Sequence, residues 1–265
     1  MSPALCLAAL LAILAAPAAC EVTNVALLAA NGAEQPERVG PRPRARPEGE
    51  RRCTADGRLC IRADNYVEDV CRVIEEAAGA EGLDVTFFAR LLWRESLFDA
   101  SAVSPAGAQG IAQFMPGTAA LRGLRDPFNP AEAILASAGY LRELERRFGS
   151  LGLAAVAYNA GEERAERFLA GSPFLPGETR AYVAAITGVP AEAWRDGAAR
   201  DGTLPAPDLS LDPGLPFGEA CLARAASRAM PSFEPPEPVL QRWRGRRAAR
   251  TTERAWRRRD RLPRR

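Results

Sequence analysis

The sequence lacks histidine entirely, and it also lacks lysine, since all 35 of its basic residues are arginine. Without histidine, the chain has no Ser-His-Asp triad, no Cys-His dyad and no His-Glu-x-x-His zinc site. Without lysine, it has no Walker A phosphate loop and no Schiff-base nucleophile. General acid–base chemistry must therefore come mainly from Asp, Glu, Tyr or Cys side chains, and the sequence predicts no metal site and no cofactor.

Long hydrophobic segments are also scarce. The extended apolar run over residues 4–19 is shorter than a comfortable transmembrane helix, and small residues follow it. This pattern predicts a secretory signal peptide over residues 1–20, and hence export to the periplasm or cell envelope. An uncleaved membrane anchor is the alternative. Cys20 follows Pro17-Ala18-Ala19, which is similar to a lipoprotein signal, so Cys20 is a candidate for lipidation.

Cysteine is infrequent, but its arrangement is informative. Beyond the signal peptide the chain keeps an even set, Cys53, Cys60, Cys71 and Cys221, which suits an oxidising compartment. Three pairings are possible. The Asp56-Gly57 turn between the first two cysteines favours Cys53–Cys60, which leaves Cys71 to pair with Cys221. Free buried thiols are the alternative.

Proline and charge divide the chain into segments. We expect, after the signal peptide, a disordered Pro/Arg linker over 21–52, a disulfide hairpin over 53–62, a compact domain over 63–198, a Pro-rich segment with a short helix packed back on the domain over 199–238, and an Arg-rich tail over 239–265.

Strand signals are rare in the compact domain, whereas helix signals are dense. Asp64 is predicted to cap a helix that ends at Gly79, Asp84 to cap a second helix, and Asn129-Pro130 to begin a third. Shorter helices are predicted at 151–158, 162–170, 178–187 and 190–197. The Gly- and Pro-rich stretch Ser104–Gly117 is expected to form a structured loop. The fold class is therefore mainly α.

Glu95 is the most informative single residue. On the second helix it shares a face with three apolar residues, Phe88, Leu91 and Leu92. A carboxyl on an apolar face has a raised pKa, as a general acid needs near neutral pH. The alternative is an ion pair with an arginine such as Arg90 or Arg94. Asp99 is either a second catalytic carboxyl or a cap for the loop that follows, and the cap is favoured.

Four ordered motifs extend the argument beyond Glu95. They are Glu95-Ser96 with the Ser104–Gly110 stretch, Gln113-Phe114-Met115-Pro116, the Ala-Tyr-Asn-Ala-Gly run over 157–161, and Glu178-Thr179-Arg180-Ala181-Tyr182-Val183. With these motifs, residues 70–188 resemble the soluble lytic transglycosylase (SLT) family of peptidoglycan-cleaving enzymes. That resemblance implies a lysozyme-like fold. Ala112 departs from the family pattern, which often has a larger apolar residue there.

The resemblance also implies a role for each matching residue. Glu95 becomes the single catalytic acid/base, and the substrate-binding set is Ser96, Ser104, Gln113, Met115, Tyr158, Asn159 and Tyr182. Among these, Ser104 is expected beside the reacting sugar and Tyr182 near the catalytic carboxyl. Each has a structural alternative: Gln113, for example, is also suited to hydrogen bonds with loop backbone, and Asn159 to a turn.

The activity implied by the resemblance is cleavage of the β-1,4 bond between N-acetylmuramic acid and N-acetylglucosamine, with formation of 1,6-anhydromuramyl ends. Peptidoglycan glycan strands are the expected partner, and a monomer is expected. Two alternatives stay open: a goose-type lysozyme-like hydrolase of the same bond, and a non-catalytic peptidoglycan-binding module.

The Arg-rich tail is the remaining feature. Residues 239–265 carry twelve arginines against Glu253 and Asp260, which leaves the rest of the chain acidic. Because the chain carries an export signal, contact with anionic membrane or wall groups is preferred over nucleic-acid binding. A solvated tail without a partner is the alternative.

Overall fold

A computed structural model describes residues 49–199, 211–212, 214–226, 233–234 and 236–242. The predicted signal peptide with Cys20, residues 21–48 of the linker and the arginine-rich tail beyond residue 242 lie outside these residues. Within the part that is described, none of the helices combines the length and the apolar character needed to cross a bilayer.

The described residues confirm the mainly α prediction. The helices are α1 (Tyr66–Glu81), α2 (Val85–Ser96), α3 (Pro116–Leu121), α4 (Pro130–Phe148), α5 (Leu151–Ala160), α6 (Glu162–Leu169), α7 (Gly177–Thr187), α8 (Ala191–Arg195) and α9 (Phe217–Ala226). Helix α5 lies at the centre, since its residues from Gly152 to Ala157 are all buried. It packs against α4, α6, α7 and α8, while α2 packs against α1 and α7.

Local capping explains where several helices begin. The Asp84 side chain accepts a hydrogen bond from the Phe87 amide at the start of α2, and Asn129 caps α4 as predicted. For α1 the predicted boundaries are wrong. The helix begins after Asn65, where Tyr66 is buried and donates to the Phe98 carbonyl, and it ends at Gly82, which adopts the left-handed conformation.

A two-stranded antiparallel hairpin precedes the helices. Strand β1 (Arg51–Cys53) pairs with β2 (Cys60–Arg62), and a disulfide joins Cys53 to Cys60. Backbone pairing extends beyond the disulfide to Arg51 and Arg52, so these two residues belong to the hairpin and not to the linker. Ile61 is fully buried, which anchors the hairpin in the core.

A second disulfide joins Cys71 on α1 to Cys221 on α9, across 150 residues of chain. Helix α9 packs on α1, in the position expected for the short helix of the 199–238 segment. A cross-link that closes so long a loop stabilises a fold by about 2–5 kcal/mol, because it limits the freedom of the unfolded chain. The two disulfides are the pairs that the sequence favours.

Candidate active site

Glu95 lies in the last turn of α2. Phe88, Leu91 and Leu92, on the same face, are fully buried, and the helix ends one residue later. The following residue, Leu97, adopts a positive φ of 59°, which turns the chain sharply away from the helix. Glu95 is therefore carried by a firmly packed helix but stands at its open end, where it is only partly buried.

Tyr182 on α7 is the hydrogen-bond partner of this carboxyl. Its hydroxyl donates to Glu95 Oε1 at 2.5 Å, and the tyrosine is 3% exposed. Burial raises the pKa of Glu95 to about 7, although the hydrogen bond from Tyr182 acts in the opposite direction. Burial and the nearby Glu95 charge raise the pKa of Tyr182 well above its usual value, so Tyr182 stays neutral and acts as a donor.

The surrounding charges show why the pKa of Glu95 stays high. Among the contacts of the described residues, none is an ion pair between Glu95 and Arg90 or Arg94. Arg90 donates to the Ala185 carbonyl at 2.9 Å. Arg94 is exposed and lowers the pKa of Glu95 less than Tyr182 does, whereas the charge of Glu178 raises it. Desolvation therefore dominates over charge pairing at this carboxyl.

Asp99 is used by the loop after α2. Its Oδ1 accepts hydrogen bonds from the Ser101 amide at 2.8 Å and from the Ser101 hydroxyl at 2.7 Å. This is the capping role that the sequence favoured over catalysis. Asp99 is therefore occupied by the loop and does not have a role equivalent to that of Glu95.

Tyr158 and Asn159 lie at the carboxyl end of α5. The Tyr158 hydroxyl donates to the Ala112 carbonyl at 2.9 Å and lies 2.9 Å from Ser137 Oγ. Burial raises the pKa of Tyr158, and the charge of Glu95 raises it further, so the two side chains are electrostatic neighbours. Asn159 Oδ1 accepts from the Thr179 hydroxyl at 2.8 Å, which links α5 to the first turn of α7.

Two side chains predicted to bind substrate instead form hydrogen bonds within the loop between α2 and α3. Ser96 Oγ donates to the Ile111 carbonyl at 2.7 Å and accepts from the Asp99 amide at 3.1 Å, so its hydroxyl holds the loop against the helix end. The Gln113 amide donates to the carbonyls of Ala102 and Gly110. Gln113 therefore makes the hydrogen bonds with loop backbone that were the alternative to a substrate contact. The Ser96 hydroxyl positions the loop against the end of α2.

Ser104 and Met115 remain at the surface of this loop. Ser104 Oγ accepts from the Ala108 amide at 3.0 Å and is partly exposed. Met115 is 44% exposed and immediately precedes α3. Gly110 sets the path between them, because a Cβ there would lie 1.8 Å from the Pro127 carbonyl oxygen, and its φ is 74°.

The structure therefore brings Glu95 together with Tyr182 and Tyr158, and it places Asn159 next to them through Thr179. Sequence reasoning missed the parts played by Glu178 and Thr179, although both lie in the last motif; their position one turn before Tyr182 on a helix was the available signal. Among the described residues, no group of three or more acidic or cysteine side chains is arranged to hold a metal ion.

Comparison with known proteins shows which part of the chain is similar to a described family. The family model described as the Transglycosylase SLT domain matches residues 72–177. Membrane-bound lytic murein transglycosylase F of Alcanivorax borkumensis is 35% identical over 101 residues, which is 36% of this chain and 21% of that protein. The transglycosylase of Enterobacteria phage PRD1 is 33% identical over 92 residues, 35% of each chain. The chain thus spans well under half the length of these relatives.

Among solved structures, an inactive mutant of the lytic transglycosylase Slt from Pseudomonas aeruginosa is similar at 25% identity and a TM-score of 0.41, over 51% of this chain and 25% of that chain. The residues that the family model matches include Glu95 and the Tyr158-Asn159 pair, which lie on α2 and α5. Residues 72–177 of this chain are thus similar to a transglycosylase SLT domain, and the described fold that carries them is mainly helical.

Proposed function

We propose that this chain is an exported peptidoglycan lytic transglycosylase in which Glu95 is the only acid/base. The observation that carries the proposal is the state of the Glu95 carboxyl, whose pKa is raised to about 7 by burial and whose Oε1 accepts the Tyr182 hydrogen bond. Near neutral pH such a carboxyl is populated in both protonation states, so it is suited to donate a proton in one step and accept one in the next.

In the first step, protonated Glu95 gives its proton to the oxygen that bridges N-acetylmuramic acid and N-acetylglucosamine. The glycosidic C–O bond breaks, the N-acetylglucosamine end leaves as an alcohol, and positive charge develops at the muramyl anomeric carbon. The Glu95 carboxylate formed in this step accepts the Tyr182 hydrogen bond, which favours the ionised form.

In the second step, the muramyl 6-hydroxyl attacks the anomeric carbon of the same sugar, and the Glu95 carboxylate takes its proton. The product is a 1,6-anhydromuramyl end, and Glu95 returns to its protonated form without consuming water. Because the nucleophile belongs to the substrate, proximity replaces the second carboxyl of an ordinary glycosidase. This agrees with a site in which Asp99 serves the loop and Glu178 is exposed.

Neutral polar groups complete the proposed site. Asn159 is fixed by Thr179, and Ser104 is partly exposed on the loop between α2 and α3, so both are suited to hydrogen-bond sugar hydroxyl or acetamido groups. The Tyr158 hydroxyl is engaged with Ala112 and Ser137, so its part is to position the loop. Met115, exposed before α3, is suited to an apolar contact with the substrate.

The test is mass spectrometry of the muropeptides released from purified sacculi by the disulfide-bonded chain, by Glu95→Gln and by the matched carboxyl control Glu178→Gln. We expect anhydromuramyl products from the unchanged chain and from Glu178→Gln, and their loss by at least about 10³-fold in Glu95→Gln. Reducing-end products, heavier by one water, would instead make the chain a goose-type hydrolase. Sacculus binding without products would make it a non-catalytic module.

A further inference from the structure

Phe174 is an aromatic side chain that the proposed function does not use. It lies in the loop between α6 and α7 and is 86% exposed. Its neighbour Leu175 is 3% exposed, so the loop turns one apolar side chain into the core and presents the next one to solvent. A single exposed apolar residue is ordinary on a protein surface. The way in which this one is held is what distinguishes it.

One guanidinium fixes the backbone on both sides of Phe174. Arg180 Nη2 donates to the Pro173 carbonyl at 2.9 Å, and Arg180 Nη1 donates to the Leu175 carbonyl. The same guanidinium is paired through Nε with Glu192 at 2.6 Å. The Phe174 amide donates to Ser172 Oγ at 3.3 Å. The loop is therefore tied down at each residue that flanks the ring, and the exposed ring is displayed by a fixed backbone.

This loop leads directly into the helix that builds the site. Phe174 precedes Glu178 by four residues, so their backbones lie within about 14 Å of each other. Glu178 acts on the charge of Glu95, Thr179 holds Asn159, and Tyr182 donates to Glu95. Arg180 thus lies on the same helix, α7, as Glu178, Thr179 and Tyr182. Its hydrogen bonds link that helix to the Phe174 loop.

We propose that Phe174 is a platform on which a sugar ring of the glycan strand stacks, next to the sugars that Glu95 cleaves. The flat apolar face of the ring matches the C–H face of a hexose and needs no hydrogen bond, and fixing the backbone beforehand lowers the ordering cost of binding. This inference rests on the proposed function, because it assumes that the chain binds glycan strands. Arg180 is the positioning residue for Phe174.

The test measures binding separately from cleavage. In the Glu95→Gln background, co-sedimentation with purified sacculi is compared for the parent chain, Phe174→Ala, Phe174→Trp and Leu121→Ala. Leu121, at the end of α3, is 89% exposed and serves as the matched apolar control. We expect about tenfold weaker binding for Phe174→Ala, retention for Phe174→Trp and no change for Leu121→Ala. Thermal unfolding verifies that each variant is folded.

In the otherwise unchanged chain, Phe174→Ala should raise KM for long glycan strands about tenfold while kcat stays within about twofold. Equal sacculus binding by Phe174→Ala, or an equal loss in Leu121→Ala, would overturn the inference. So would a Phe174→Ala defect confined to binding of anionic phospholipid vesicles, which would make this a membrane contact. If Phe174→Ala weakens sacculus binding but the unchanged chain releases no anhydromuramyl products, the proposed cleavage fails, whereas stacking of a glycan sugar on Phe174 stands.

Discussion

Two carboxyl groups on neighbouring helices have pKa values that are shifted in opposite directions. Asp69, in the first turn of α1, is 4% exposed, and Arg62 surrounds it with its backbone amide at 3.0 Å and its Nε at 2.8 Å. Burial alone raises the pKa of Asp69, but these hydrogen bonds outweigh burial and hold it below its usual value. Glu95, at the end of α2, has a tyrosine partner in place of an arginine, and its pKa is raised to about 7.

The difference shows how one helical domain separates structure from chemistry. An ionised carboxylate held by a guanidinium joins the hairpin to α1 and does not exchange protons near neutral pH. A desolvated carboxyl held by a neutral hydroxyl costs stability when it is ionised, but it is able to carry a proton in either direction. The chain has no histidine or lysine to transfer protons near neutral pH. The desolvated environment of Glu95 makes this carboxyl suited to that role.

The largest effect on stability is expected when the structural carboxylate, Asp69, is removed. Asp69→Asn leaves the Arg62 donors without their charged acceptor, so we expect the free energy of unfolding at pH 7 to fall by about 2–4 kcal/mol. Because the pKa of Asp69 is lowered in the fold, its stabilisation is present above the unfolded value of 3.8 and is lost as pH falls below it. Urea unfolding at pH 7 and at pH 3 measures both. An unchanged midpoint at pH 7 would contradict a structural role, and cleavage per folded molecule should be unaffected.

The next effect concerns the neutral partner of Glu95. Tyr182→Phe removes a hydrogen bond that favours the ionised carboxyl, so kcat should fall about 10- to 100-fold. The alkaline limb of the pH–rate profile should move to higher pH, since the pKa of Glu95 rises without this donor. Tyr140→Phe is the control, because its hydroxyl donates to Glu162 and not to Glu95. A profile that is lower but unshifted would mean that Tyr182 acts only on packing.

The third prediction concerns the stability that the fold loses because ionised Glu95 has no ion-pair partner among the described residues. Its pKa is about 7 in the fold and 4.5 as a free group, so the fold loses stability as pH rises from about 4.5 to 7. Glu95→Gln should therefore raise the free energy of unfolding by about 1–2 kcal/mol at pH 8, since the residue is partly exposed, and by much less at pH 5. Denaturant unfolding at the two pH values measures the difference. Equal gains at both would argue that ionisation is not the cause.

The smallest effects belong to the exposed charges that flank the acid. Arg94→Gln removes a positive charge and should move the alkaline limb of the rate profile to higher pH, whereas Glu178→Gln should move it to lower pH. Both shifts should be smaller than that of Tyr182→Phe, and 0.5 M salt should reduce them because exposed charges are screened. Shifts in the same direction for the two variants would refute the electrostatic explanation.

Helix starts could be predicted where the capping group lies within three residues of the amide that it caps, as for Asp84 and Asn129. The boundaries of α1 could not, because the local sequence offers both Asp64 and Asn65 before the helix, and both Gly79 and Gly82 near its end. Burial of Tyr66 against the Phe98 carbonyl selects the start, and that contact joins residues 32 positions apart. The same limit applies to Ser96 and Gln113, whose polar atoms serve loop backbone that local patterns do not locate.

The sequence by itself determined the chemical inventory: a carboxyl, Glu95, on an apolar helix face, tyrosines as the neutral donors, the cysteines Cys53, Cys60, Cys71 and Cys221, and no histidine or lysine. It also indicated most of the helices, because the spacing of apolar residues and the caps are local properties, but it did not predict α3, whose first residues lie in the stretch expected to be a loop. Only the tertiary structure decided that Glu95 meets Tyr182, 87 residues away, and that Asp69 meets Arg62. The physical reason is that a pKa depends on desolvation and on neighbours in space, and folding brings those neighbours from distant parts of the chain.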